Sequence, residues 1–121
     1  MPVRKILVVD DSPTELYVLG DFLSKNGYEV ITAISGEDAI AQARAKRPDL
    51  ILMDVVLPGI NGFQATRTIT RDEITRDIPV IMCTNKGGET DRIWGMRQGA
   101  LDYMVKPIDR TALLQKISSL A

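Results

Sequence analysis

Three runs of four residues, 6–9, 50–53 and 80–83, are apolar at every position, and each is followed at once by a polar or ionisable residue: Asp10, Asp54 and Thr84. Strand side chains alternate between two faces, so a strand that is apolar throughout must be covered on both. A weaker apolar run at 103–105 and a β-rich piece at 28–33 complete a set of five, and Lys106 follows the last. Between the runs the apolar spacing turns helical. Leu16, Leu19, Phe22 and Leu23 share one face, opened by Ser12, Pro13 and Glu15 in capping-box spacing and stopped by Gly27. A second helix starts at Ser35, carries Ala39, Ile40 and Ala43, and ends before Pro48. A third follows Asn61 to about Thr70, a fourth runs near Glu89 to Gln98 with Gly99 as its cap, and a fifth runs from Asp109 through Leu113, Ile117 and Leu120. Strict alternation with short connections predicts an α/β fold: a doubly wound, five-stranded parallel sheet with five helices on its two faces. The pieces at 28–30 and 101–103 mix in polar residues, which places those strands at the edges.

At 121 residues, 45% of them hydrophobic, the chain is expected to form a single domain (1–121) with an ordinary core that needs neither disulfide nor structural metal. Fifteen Lys and Arg against sixteen Asp and Glu leave a formal charge of −1, which argues against a nucleic-acid-binding face. The absence of histidine excludes a Ser/His/Asp triad, an HExxH zinc site and a phosphohistidine of its own. One cysteine, Cys83, leaves no internal disulfide and reads as a small core hydrophobe. No apolar run is long enough for a signal peptide or a membrane span, so a cytoplasmic protein without membrane insertion is expected.

In an open parallel sheet the carboxyl ends of the strands share one edge, and ligands bind there where the strand order reverses. Asp10, Asp11, Asp54, Thr84 and Lys106 all fall at that edge. Singly, an aspartate at a strand end reads as a turn or a helix cap, and the threonine and lysine have equally plain readings. Ser12 already fills the cap after Asp10 and Asp11, however, and the five positions occur together. Clustered carboxylates repel one another unless a cation or counter-charge offsets them. Oxygen ligands without histidine select a hard ion, Mg2+ in preference to Ca2+. With the lysine ammonium and the threonine hydroxyl, such a site suits a tetrahedral dianion, and a carboxylate at its floor can act as nucleophile toward a phosphoryl group. The Lys106–Pro107 bond is a candidate for a cis peptide that aims the lysine inward.

The order Val9-Asp10-Asp11-Ser12, Met53-Asp54-Val55-Val56-Leu57-Pro58-Gly59, Cys83-Thr84 and Val105-Lys106-Pro107 resembles the receiver domain of bacterial response regulators, across essentially the whole chain. That resemblance implies the flavodoxin-like, CheY-like strand order 2-1-3-4-5. It implies Asp54 as phosphoacceptor, Asp11 as a direct Mg2+ ligand, Asp10 as a ligand through water and the Val56 carbonyl as the backbone ligand. Thr84 and Lys106 then contact the phosphoryl group, and Tyr103 is the switch aromatic that turns inward as Thr84 moves. The implied donor is a CheA-like histidine kinase. The segments Ser12 to Glu15, Asn61 to Arg67, and Gln98 to Tyr103 further resemble the pilus chemotaxis receivers of the PilH and PilG type that control twitching motility. One departure is Asn85, where receivers usually carry a small residue.

The expected function is a phosphorylation switch in two-component signalling that turns over no free metabolite and so is not an enzyme in the ordinary sense. Its output is a protein docking on a face around Tyr103 and Trp94, with the chain a monomer or weak dimer. With the sequence stopping at Ala121, it is expected to act either by docking or as a phosphate sink for a shared kinase. A Mg2+-dependent aspartyl phosphatase is the rival from the enzyme class, disfavoured because such enzymes carry a second Asp where Val56 stands. A flavin-binding module is disfavoured because Asp10 and Asp11 stand where a phosphate would need neutral donors. Gly87 and Gly88 form no phosphate-cradling motif and read as freeing the loop after Thr84.

Overall fold

The computed structural model describes residues 2–120, in which five strands and five helices alternate: β1 (Lys5–Val9), α1 (Pro13–Lys25), β2 (Glu29–Ala33), α2 (Gly36–Lys46), β3 (Leu50–Met53), α3 (Gly62–Arg71), β4 (Val80–Thr84), α4 (Glu89–Arg97), β5 (Asp102–Val105) and α5 (Arg110–Ser119). All strand pairs are parallel, in the order β2-β1-β3-β4-β5. The fully apolar runs are the three central strands, and the two polar-interrupted ones are the edges.

Alternation along each strand sorts the core into two layers. Leu7, Val9, Ile51, Met53, Val80, Met82 and Tyr103 face one side, with Ala39 and Ala43 of α2 and Phe63, Ala65 and Ile69 of α3. Ile6, Val8, Leu50, Leu52, Ile81, Cys83 and Met104 face the other, under Leu16 and Leu23 of α1 and Leu113 and Ile117 of α5. Helix α4 contributes only Gly95 as a buried residue. A Cβ there would stand 3.1 Å from the Tyr103 ring and 3.3 Å from Phe63, so the missing side chain lets α4 lie close to β5. Among the described residues no helix is long and apolar enough to cross a membrane.

Two local details differ from the sequence reading. The Ser12 hydroxyl caps α1 by accepting from the Glu15 amide at 3.3 Å, but the reciprocal half of the capping box is absent: the Ser12 amide donates to Asp10 Oδ1 at 3.0 Å instead. A complete capping box forms at α3, where the Asn61 and Gln64 side chains each accept from the other's backbone amide at 2.9 Å. Helix α2 ends before Pro48 as expected, with Arg47 in the left-handed region at φ 45°.

Candidate functional site

Backbone pairing continues one residue beyond the strands and fixes the side chains at the carboxyl edge. The Asp10 amide donates to the Ala33 carbonyl and the Asp54 amide to the Val9 carbonyl, both at 3.1 Å, and the Lys106 amide donates to the Thr84 carbonyl at 2.8 Å. Asp10, Asp54, Thr84 and Lys106 are therefore held by the sheet itself rather than by loops. Asp10 and Asp54 are buried, 5% and 7% exposed, and Thr84 is fully enclosed.

Lys106 Nζ stands among three carboxylates: 2.7 Å from Asp10 Oδ2, 2.9 Å from Glu15 Oε2 and 3.2 Å from Asp54 Oδ2. Asp54 Oδ1 accepts from the Val55 amide at 2.7 Å. Burial alone would raise the Asp10 carboxyl, but the hydrogen bonds from Lys106 and the Ser12 amide outweigh it and hold the group below its usual range. Burial works equally against the Lys106 ammonium, and the bonds to Asp10 and Glu15 with the charge of Asp54 drive it above an ordinary lysine. Asp10 and Lys106 thus remain ionised at neutral pH. The Lys106–Pro107 peptide is cis.

Carboxylate oxygens of Asp10, Glu15 and Asp54 lie within 4.8 Å of one another, an all-oxygen donor set of the kind a hard divalent ion takes. Asp11 is outside that set, its side chain exposed. Val56 lies in the loop after Asp54 with its side chain 57% exposed. By its spacing in the sequence Glu15 is only a capping residue. It reaches the site because it sits in the first turn of the helix that starts there, and no short-range pattern separates the two roles.

Thr84 Oγ1 accepts from the Lys86 amide at 3.3 Å, and the Tyr103 hydroxyl donates to the Lys86 carbonyl, so threonine and tyrosine grip the same loop residue. Tyr103 is 7% exposed, packed inward against Gly95, and does not line an outer face as expected. The exposed apolar side chains nearby are Ile93, Trp94, Met96, Leu101 and Val105. Asn85 is exposed. The two glycines that follow do more than loosen the loop: a Cβ on Gly87 would meet Val105 at 3.0 Å, and Gly88 is the N-cap of α4.

The sequence profile of the response regulator receiver domain matches residues 6–118. The chain belongs to the response regulator receiver family. It is 53% identical over 117 residues to the protein PilH of Pseudomonas aeruginosa, covering 97% of each chain. It is 43% identical over 116 residues to the response regulator PleD of Caulobacter vibrioides, of which it spans 26%. Among solved receivers, the Vibrio cholerae chemotaxis protein CheY4 superposes with a TM-score of 0.90 at 30% identity, over 98% of this chain and 99% of the other. The receiver domain of a sensor histidine kinase from Pseudomonas aeruginosa, solved with magnesium coordinated in its active site cleft, gives 0.89 at 34% identity, over 98% and 97%. The acidic cluster of this receiver, with Asp10 and Asp54 buried and Glu15 exposed, matches the oxygen chemistry that such an ion requires.

Proposed function

We propose that this receiver accepts a phosphoryl group from the phosphohistidine of a histidine kinase onto Asp54, and that the modified site changes a surface which a partner reads. The observation that carries the reading is the Asp54 carboxylate itself, buried at the end of a central strand and held between the Val55 amide and the Lys106 ammonium. A carboxylate oxygen of Asp54 attacks phosphorus, the P–N bond to the imidazole breaks, and the imidazole leaves with its electron pair. Lys106 is positioned to meet a phosphoryl oxygen, and the Thr84 hydroxyl can donate to another once it leaves the Lys86 amide.

Asp10 and Asp54, with Asp11 after a side-chain rotation and the Val56 carbonyl, are the groups that would hold Mg2+. When bound, Mg2+ supplies positive charge at the phosphoryl oxygens and offsets the crowded carboxylates. Tyr103 and Thr84 meet at Lys86, which links occupancy of the acceptor to the loop preceding α4 and the exposed apolar side chains around Trp94. The chain turns over no free metabolite in this reading and works in the cytoplasm. Similarity to PilH over almost its whole length favours a place in pilus chemotaxis, either docking on an output protein or draining a shared kinase.

The test is intact mass after incubation with Mg2+ and acetyl phosphate, beside Asp54→Asn. A phosphoryl increment that requires both Mg2+ and Asp54 is expected, whereas an increment retained by Asp54→Asn refutes the assignment. Pulldown with and without a phosphoryl mimic then separates the outputs: binding that depends on the state of Asp54 supports docking, and equal binding favours the sink.

A further inference from the structure

Glu15 lies at the third position of α1, where a glutamate ordinarily turns back to accept from the N-cap amide. Here that amide is taken by Asp10 Oδ1, and the Glu15 side chain crosses to Lys106 Nζ at 2.9 Å. The ammonium stands nearer Asp10 and Glu15 than Asp54, at 2.7 and 2.9 Å against 3.2 Å. The acceptor thus has the longest of the three contacts with the cation that should neutralise its phosphoryl group. Glu15 also differs from the other two partners in freedom: its side chain is 47% exposed, against 7% for Asp10 and 9% for Asp54. It is the one carboxylate of the three that is carried on a helix and open to solvent, where it can swing away into water.

We propose that Glu15 is a positioning residue for phosphoryl transfer: diverted from its helix cap, it tethers the Lys106 ammonium and withholds part of that charge from Asp54. The proposal rests on Asp54 being the acceptor. Two consequences act in the same direction. Lys106 must part from Glu15 to follow an arriving phosphoryl oxygen, and the Glu15 charge at the mouth opposes the approach of an anionic donor. Glu15 is thereby a built-in brake on phosphoryl uptake. The same charge strengthens attraction for a divalent cation beside it, so the brake and the affinity for Mg2+ are coupled through one side chain.

The experiment uses the full chain as wild type, Glu15→Gln and Glu15→Asp, with Asp54→Asn as control. Glutamine preserves shape and helix propensity while removing the charge. Uptake from acetyl phosphate at saturating Mg2+ is followed by intact mass, and Mg2+ affinity is measured separately by titration calorimetry. Glu15→Gln is expected to take up phosphoryl about three- to tenfold faster and to bind Mg2+ about two- to fivefold more weakly, with Glu15→Asp between it and wild type. A merely structural glutamate would move the melting temperature without this opposed pair of changes. Glu15→Gln uptake equal to or slower than wild type overturns the proposal. No Asp54-dependent increment in any variant removes the Asp54 reading, and the brake with it.

Discussion

Gly62, the first residue of α3, gives the sharpest test of how the acceptor is held. A Cβ built on it would stand 1.9 Å from the Asp54 carbonyl oxygen, 2.8 Å from the Asp54 carbonyl carbon and 2.9 Å from Val55 Cα. All three are backbone atoms, and the nearest falls more than an ångström short of any tolerated approach. Neither side yields cheaply. The Asp54 amide is bonded to Val9 and the Gly62 amide to the Val55 carbonyl at 2.8 Å, while the capping box of Asn61 and Gln64 pins the helix start. Gly62→Ala must therefore overpack the joint, at about 1–3 kcal/mol, and weaken the Gly62–Val55 bond, at about 1 kcal/mol. A loss of about 3 kcal/mol corresponds to a melting temperature lower by about 12 °C for a domain of this size. Urea unfolding followed by circular dichroism measures the first quantity, and Asp54 phosphorylation should fall with it because the acceptor's own backbone is displaced. An alanine variant within about 0.5 kcal/mol of wild type would refute the argument.

Gly20 makes the opposite case: it lies inside α1, where a Cβ would touch Val30 Cγ1 at an ordinary 3.5 Å, so Gly20→Ala should stabilise the protein by about 0.5–1 kcal/mol in the same urea experiment. Asp49 accepts from the Lys5 and Arg4 amides at 2.9 Å each, and the Lys5 bond above all holds its carboxyl below the usual range. Because the folded value is the depressed one, its contribution is present above the unfolded value of about 3.9 and is lost as pH falls through the folded value. Asp49→Ala should cost about 1 kcal/mol at neutral pH, with the two unfolding curves converging in acid. Burial pushes the Cys83 thiol up to about 12, so iodoacetamide should leave the native protein unmodified at mildly alkaline pH and add one group once urea unfolds it.

The sheet was legible because its signal is local and redundant. Apolar runs such as 50–53 permit only a strand covered on both faces, and Ser12, Ser35, Asn61 and Asp109 each mark a helix start that the structure keeps. Parallel alignment then brings the strand ends together, which is why the sequence alone groups Asp10, Asp54, Thr84 and Lys106. What sequence could not supply was side-chain direction. Asp10 and Asp11 are adjacent and identical in type, yet one is buried against Lys106 and the other is exposed, a difference fixed by where β1 stops pairing. Tyr103 carries the same limit: edge strands are expected to be half open, but the absent side chain at Gly95 brings α4 down over the ring and closes it in.

Glu15 shows how a local rule and a tertiary demand compete for one residue. By spacing it belongs to the N-terminus of α1, and a capping bond to Ser12 would satisfy it there. Asp10 sits two residues before that cap, and its Oδ1 takes the Ser12 amide while its Oδ2 takes Lys106. With the amide occupied, the glutamate turns instead to an ammonium already drawn inward by two buried carboxylates. The helix start therefore gives up one half of its cap, and the charge cluster gains its third carboxylate. Replacing Asp10 with Ala should release both bonds together: the Ser12 amide becomes free to receive Glu15, and Lys106 is left to Asp54. If instead Lys106 keeps its contact with Glu15 in the Asp10→Ala protein, seen by NMR as a lysine ammonium resonance that still shifts when Glu15→Gln is added, the cap does not compete for Glu15 and the tether stands without Asp10.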